Sequence, residues 1–158
     1  MGKSSAGLLM YRRCGETIEV FLVHPGGPFW SKKDVGAWSI PKGEYLPDED
    51  PLSAAKREFT EETGLPPGTA FINLTPVKQA GGKVVRAWAF AGDGDPTAIT
   101  SNTFSMEWPP RSGQRQTFPE VDRAAWFSIE KAKERILKGQ VPLLSELQRI
   151  LLDQSTVG

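Results

Sequence analysis

Gly43-Glu44-Tyr45-Leu46-Pro47-Asp48-Glu49-Asp50-Pro51-Leu52-Ser53-Ala54-Ala55-Lys56-Arg57-Glu58-Phe59-Thr60-Glu61-Glu62-Thr63-Gly64-Leu65 is the stretch on which the reading turns. Its second half predicts a helix from Asp50 to Thr63. Asp50 is an N-cap residue, Pro51 suits the first helical position, and Gly64 stands just past the end. At about 100° per residue, Leu52, Ala55 and Phe59 form a narrow apolar stripe, and Glu58, Glu61 and Glu62 fall together beside it. Glu58 and Glu62 are an i,i+4 like-charge pair, and such pairs cost a few tenths of a kcal/mol. All three also sit toward the helix C-terminus, where the partial negative charge of the backbone disfavours carboxylates. Local rules broken together in one place mark a functional site. A divalent cation would relieve the repulsion, and all-oxygen donors suit Mg²⁺ or Mn²⁺ rather than zinc.

Outward from this helix, Leu8–Tyr11 and Thr17–His24 read as strands, the second with Ile18, Val20 and Leu22 on one side. A loop rich in Gly, Pro and Trp follows at 24–30, then a short apolar strand over Ala37–Ile40 stopped by Pro41. Further strands are expected at Ile72–Val77, Lys83–Phe90, Phe104–Trp108 and Arg123–Phe127. Residues 109–119 read as a long loop, a feature often tied to function. Ser128 caps a helix carrying Ile129, Ala132, Ile136 and Leu137 and closed by Gly139. Pro142 opens a last helix with Leu143, Leu144, Leu147, Ile150 and Leu151 on one stripe. Strands mixed with three helices give an α/β (α+β) layered domain. A length of 158 residues predicts one domain over 1–158, with its core at about 5–150.

Composition narrows the function. Lys and Arg number 19, as do Asp and Glu, so there is no basic excess to hold a nucleic-acid polymer. One cysteine, Cys14, and one histidine, His24, exclude zinc sites built from several Cys and His ligands. Cys14 reads as an inert thiol near a turn and His24 as a partly buried residue at a strand end. The apolar run Ala6–Met10 is too short for a signal-peptide core, and nothing approaches the ~18 apolar residues of a membrane span. The opening residues 1–6 lack a myristoylation signal. A cytoplasmic protein with no membrane association is therefore expected, as a monomer or homodimer.

The spacing Gly43, five residues, Glu49, seven residues, Arg57-Glu58-Phe59-Thr60-Glu61-Glu62-Thr63-Gly64-Leu65 resembles the complete Nudix box. The Pro41-Lys42-Gly43 lead-in and the Trp126-Phe127-Ser128 junction extend the resemblance, and the whole chain looks like a bacterial NTP pyrophosphohydrolase of that class. The resemblance implies an α/β/α sandwich with a mixed central sheet and the catalytic helix following a strand and loop. It also implies Mg²⁺- or Mn²⁺-dependent hydrolysis of a phosphoanhydride in a nucleoside diphosphate linked to another moiety. Glu58 and Glu62 would then ligate metal. Glu61 would be a further ligand or the group that orients water. Arg57 would hold the glutamates with Glu49, and Gly43 would lend its carbonyl. Glu120 stands six residues before Trp126, where family members often carry a later acidic residue, and would be a fourth ligand or the general base.

Substrate marks are sparse. The tyrosine typical of diadenosine polyphosphate hydrolases has no counterpart, since the only tyrosines are Tyr11 and Tyr45. Ala80 stands where ADP-ribose hydrolases carry proline. The Pro41-Lys42-Gly43 lead-in leans toward dinucleoside polyphosphates, and (d)NTPs stay open. Lys42 is a candidate for phosphate. Trp108 or Trp30 could stack on a base, and Arg86, Arg111 or Arg115 could meet phosphate. The alternative to an enzyme is a Nudix-like module that senses a nucleotide without cleaving it.

Overall fold

The computed structural model describes residues 4–157, with side chains through residue 154. Residues 1–3 and 158, and so the outermost ends of the expected domain and half of the stretch read for a myristoylation signal, lie outside the described residues. Strand β1 (Ser4–Cys14) turns at Gly15 into β2 (Thr17–Pro25). Strand β3 (Lys42–Glu44) leads to helix α1 (Pro51–Thr63). Strands β4 (Ile72–Asn73), β5 (Val77–Lys78) and β6 (Val84–Ala91) follow. Then come β7 (Thr103–Glu107), β8 (Arg115–Pro119) and β9 (Val121–Ser128), and helices α2 (Ile129–Arg135) and α3 (Val141–Val157).

Seven strands form one sheet in the order β4-β6-β1-β2-β9, with β3 against β1 and β5 against β6. Strands β1 and β6 are parallel and the other pairs antiparallel, so the sheet is mixed. Both faces are covered, which explains the unbroken apolar run in β1. Leu9, with Ile18, Val20 and Leu22 of β2, packs under Ile129, Ala132, Leu143, Leu147 and Leu151 of α2 and α3. Leu8 and Met10, with Phe21 and Val23, pack under Ala54, Ala55 and Phe59 of α1. The two-residue period of the strands thus separates two cores. The expected sandwich, mixed sheet and three helices are all present.

Several boundaries differ from expectation. Ala37–Ile40 is not a strand: it makes only isolated bridges, Val23 with Ser39 and Trp38 with Ile136. The Ile40 N–H instead donates to the Gln140 side chain at 3.0 Å. The expected strand Ile72–Val77 is split into β4 and β5. The loop expected at 109–119 contains β8, which pairs with β7 as a separate two-stranded sheet. Three consecutive polar residues, Arg115, Gln116 and Thr117, hid it. Helix α2 ends at Arg135 rather than at Gly139. Ile136 is already extended there, because its side chain is drawn into the core beside Trp38.

Candidate active site

Helix α1 starts as its sequence requires. The Asp50 carboxylate accepts from the Ser53 backbone N–H at 3.0 Å, and Pro51 occupies the first turn. At the other end Gly64 adopts φ 72°, and its N–H donates to the Thr60 carbonyl at 2.8 Å. The last carbonyls of a helix need external donors. The segment after β6 supplies them: Thr100 N–H donates to Thr63 O at 2.9 Å, and Asn102 N–H to Glu61 O at 2.9 Å. Glu120 N–H in turn donates to Asn102 O at 2.8 Å. A continuous backbone path therefore joins the end of α1 to Glu120, 59 residues beyond Glu61 in the chain.

On its other side, α1 faces β3. An added Cβ at Gly43 would stand 2.1 Å from the Glu58 carboxylate, so only glycine lets that carboxylate lie against the β3 backbone. The Lys42 N–H donates to Glu62 Oε1 at 3.3 Å. Arg57 donates to Glu49 at 2.5 Å and to Glu58 at 3.1 Å, and its Nε stands 3.8 Å from Glu61. Glu49 is itself fixed by accepting from the Leu46 N–H at 3.1 Å.

The carboxylates repel one another. Burial, then the charges of Glu58 and Glu120, pushes the Glu62 carboxyl up to about 8. Glu58 is also raised, chiefly by burial, with Glu61 and Glu120 adding to the effect and Arg57 opposing it. Glu120 is raised by desolvation and by Glu61. Burial lowers the Lys42 ammonium, which Glu62 opposes. No basic residue occupies the last turn of α1.

A cavity of about 190 Å³ adjoins this cluster, lined by Trp30, Ser39, Lys42, Glu62, Glu120 and Leu137 among others. Glu58, Glu61, Glu62, Glu120, Arg57, Gly43 and Lys42 are thus brought together. Four other candidates are not. Arg86 lines a separate cavity of about 460 Å³ with Tyr45 and Glu49. Trp108 and Arg111 stand at the tip of the β7–β8 hairpin, where the Arg111 N–H donates to Glu107 at 2.8 Å. Arg115 is bound to Ser105 within the same hairpin. Trp30, read from sequence only as an alternative to Trp108, is the tryptophan in the carboxylate cavity. A larger cavity, about 650 Å³, lies between β5 and α3, contains none of these residues, and has Glu146 of its wall committed to Thr75.

The sequence did not point to the supports of the site. His24 is fully buried rather than partly so, with Nδ1 2.9 Å from Asp122 and Nε2 2.6 Å from the Lys33 carbonyl. Gln140 is fully buried and ties Ile40, Ser39 and Gln79 together. Neither has a local signal: Asp122 is 98 residues from His24, and the partners of Gln140 are 61 to 101 residues away. Cys14 is exposed beside Glu19, which raises its thiol above the ordinary value, in keeping with an inert role.

Among the described residues, no three His, Cys, Asp or Glu side chains are gathered closely enough to ligate one ion. Arg57 lies against Glu58 and near Glu61 instead. The donor chemistry still fits a hard divalent cation: oxygen donors only, two carboxyls raised chiefly by burial and further by neighbouring carboxylates, and a β3 backbone at Gly43 against which the Glu58 carboxylate lies.

Comparison with known proteins places these observations. The family description NUDIX domain matches residues 1–147. The Caenorhabditis elegans Ap4A hydrolase in a binary complex is similar in structure, with a TM-score of 0.67 and 23% identity over 96% of this chain and 98% of that one. A mutT/nudix family protein from Listeria innocua gives 0.64 and 15% over 99% and 98%. The NUDIX domain of Shewanella oneidensis NrtR, complexed with ADP ribose, gives 0.62 and 16% over 96% and 89%. No curated protein matches the chain.

Proposed function

The chain belongs to the NUDIX family, an enzyme class that cleaves acid anhydrides, and from that premise we propose that it hydrolyses a phosphoanhydride in a nucleoside diphosphate linked to another moiety. The observation that carries this reading is the convergence of Glu58, Glu62 and Glu120 at a helix end with no basic residue in its last turn, where burial and then the neighbouring charges push the Glu62 carboxyl up to about 8. Such a cluster is costly to keep charged and calls for a cation.

Glu58, Glu62, Glu120 and the Gly43 carbonyl are the groups that would hold Mg²⁺ or Mn²⁺, with Glu61 as a further ligand. The bound cation would neutralise phosphate oxygens and make a water more acidic. Arg57 positions Glu58 and Glu61 and is itself held by Glu49. Glu120, its carboxyl raised by burial and by Glu61, suits the task of taking a proton from the attacking water, and Glu61 is the other candidate base. Lys42 supplies positive charge beside the cavity, and Trp30 an aromatic wall. The similar proteins named for Ap4A and ADP ribose support a free nucleotide as the ligand.

The test is turnover of ATP, dATP, 8-oxo-dGTP, diadenosine tetraphosphate, ADP-ribose and NADH with Mg²⁺ or Mn²⁺. At least one should be cleaved, and Glu62→Gln should lower that rate at least about a hundredfold. Near-normal turnover in the variant would remove Glu62 from the metal site. Tight nucleotide binding without cleavage by the wild type would favour the sensing module.

A further inference from the structure

Residues 103–119 leave the main sheet as a hairpin whose root is part of the site. Asn102 and Glu120, which flank it, are hydrogen-bonded to each other, and Asn102 holds Glu61. Along β7 the chain alternates. Phe104 and Met106 are half-buried, as is Trp108 just beyond the strand, while Thr103, Ser105 and Glu107 are exposed. Phe118 of β8 pairs with Phe104 on the same inner face.

The loop after β2 runs along this face. Gly26 lies against Pro119 at the root, and Gly27 against the Phe104 ring. Phe29 meets Trp108 at the tip, with ring centroids 5.4 Å apart and an interplanar angle of 79°. The next residue, Trp30, turns back on the Gly27 carbonyl and lines the carboxylate cavity. Phe29 remains 61% exposed although it is in contact with a second aromatic ring. Cationic groups flank the track: Lys33 Nζ stands 5.2 Å from the Trp30 ring centroid, and Arg111 is exposed in the hairpin turn.

At about 3.4 Å per residue, the five pairs of the hairpin place its tip on the order of 17 Å from its root. A ligand that meets both Glu120 and the Phe29–Trp108 pair must be long, charged in the middle and flat at the far end. We propose that Phe29 and Trp108 form a second stacking platform, which receives the distal base of a two-headed nucleotide whose phosphate chain lies at the Glu58–Glu62–Glu120 cluster. This rests on the hydrolase reading above and narrows its substrate class to nucleotides with a base at each end. Base stacking on an aromatic ring is tolerant of base identity, so the platform selects for the presence of a second base rather than its kind.

The test is the dissociation constant, with Mg²⁺ present, of methylene-bridged diadenosine tetraphosphate and of methylene-bridged ATP. It is measured for the wild type, Trp108→Ala, Phe29→Ala and Trp108→Phe, each checked for an unchanged melting temperature. The preference for the two-headed ligand should fall about tenfold in either alanine variant and return in Trp108→Phe. Equal weakening of both ligands, or an unchanged preference, overturns the platform while leaving the hydrolase reading intact. Binding of neither ligand by the wild type overturns both.

Discussion

Gly43 shows how one residue type can be required by a neighbouring side chain rather than by its own backbone. Its place is set by β3, but the space beside its Cα is filled by the Glu58 carboxylate. Alanine there pushes aside the flexible end of a glutamate and leaves the sheet undisturbed. Gly43→Ala should therefore melt within a few degrees of the wild type while its turnover falls, on the order of a hundredfold, since a misplacement of about 1 Å costs that much. Equal loss of stability and rate would show that the glycine serves the fold. Gly43 and the box glutamates were legible in sequence, because their spacing along a strand, loop and helix sets their relation. Glu120 was legible only through the family resemblance. Trp30 was only one of two candidates, because nothing local ties a Gly/Pro-rich loop to a helix end.

Helix α1 satisfies its N-terminus locally and its C-terminus at a distance. Asp50 closes the first turn from within the element. The other end depends on Gly64 at φ 72° and on Thr100 and Asn102 from a later segment. A Cβ at Gly64 would also stand 2.2 Å from the Thr100 hydroxyl. Gly64→Ala should lower stability by about 1–2 kcal/mol in chemical denaturation, by strain at a positive φ and by displacing Thr100. Because the same segment leads through Asn102 to Glu120, turnover should fall further than the lost stability explains. A variant that is destabilised but fully active per folded molecule would show that Thr100 and Asn102 only cap the helix. The cap residues themselves were readable from sequence. The hairpin that follows Asn102 was half read, β7 as a strand and β8 as loop, since Arg115, Gln116 and Thr117 carry no apolar alternation.

For the molecule as a whole, the acidic cluster links stability to pH and, through the proposed cation, to metal. The folded-state Glu62 carboxyl is raised to about 8 from an ordinary 4.5. Between those values the folded state holds a proton that the unfolded chain has lost, so stability is greatest below about pH 4.5 for this group and declines as pH rises toward 8. The metal-free protein should lose on the order of a few kcal/mol across that window, and Glu62→Gln should flatten the decline. At the proposed metal site, Mg²⁺ or Mn²⁺ would bind the ionised form and should raise the melting temperature more at pH 8 than at pH 5.5. A metal effect that is the same at both pH values would separate the cation from these carboxylates.

The sequence by itself determined the elements whose signals are local: the capped helix, its converging glutamates, the alternating strands and the box that marks the family. Spacing along one regular element converts directly into geometry, so these needed no knowledge of the rest of the chain. Only the tertiary structure decided which distant residues complete the site. It put Trp30 rather than Trp108 beside Glu62, moved Arg86 to another cavity, and placed Phe29 against Trp108 at the end of a hairpin rooted at Glu120. Those relations arise from packing between segments tens of residues apart. Their cost and gain are shared among many contacts, and no local pattern of residue types records them.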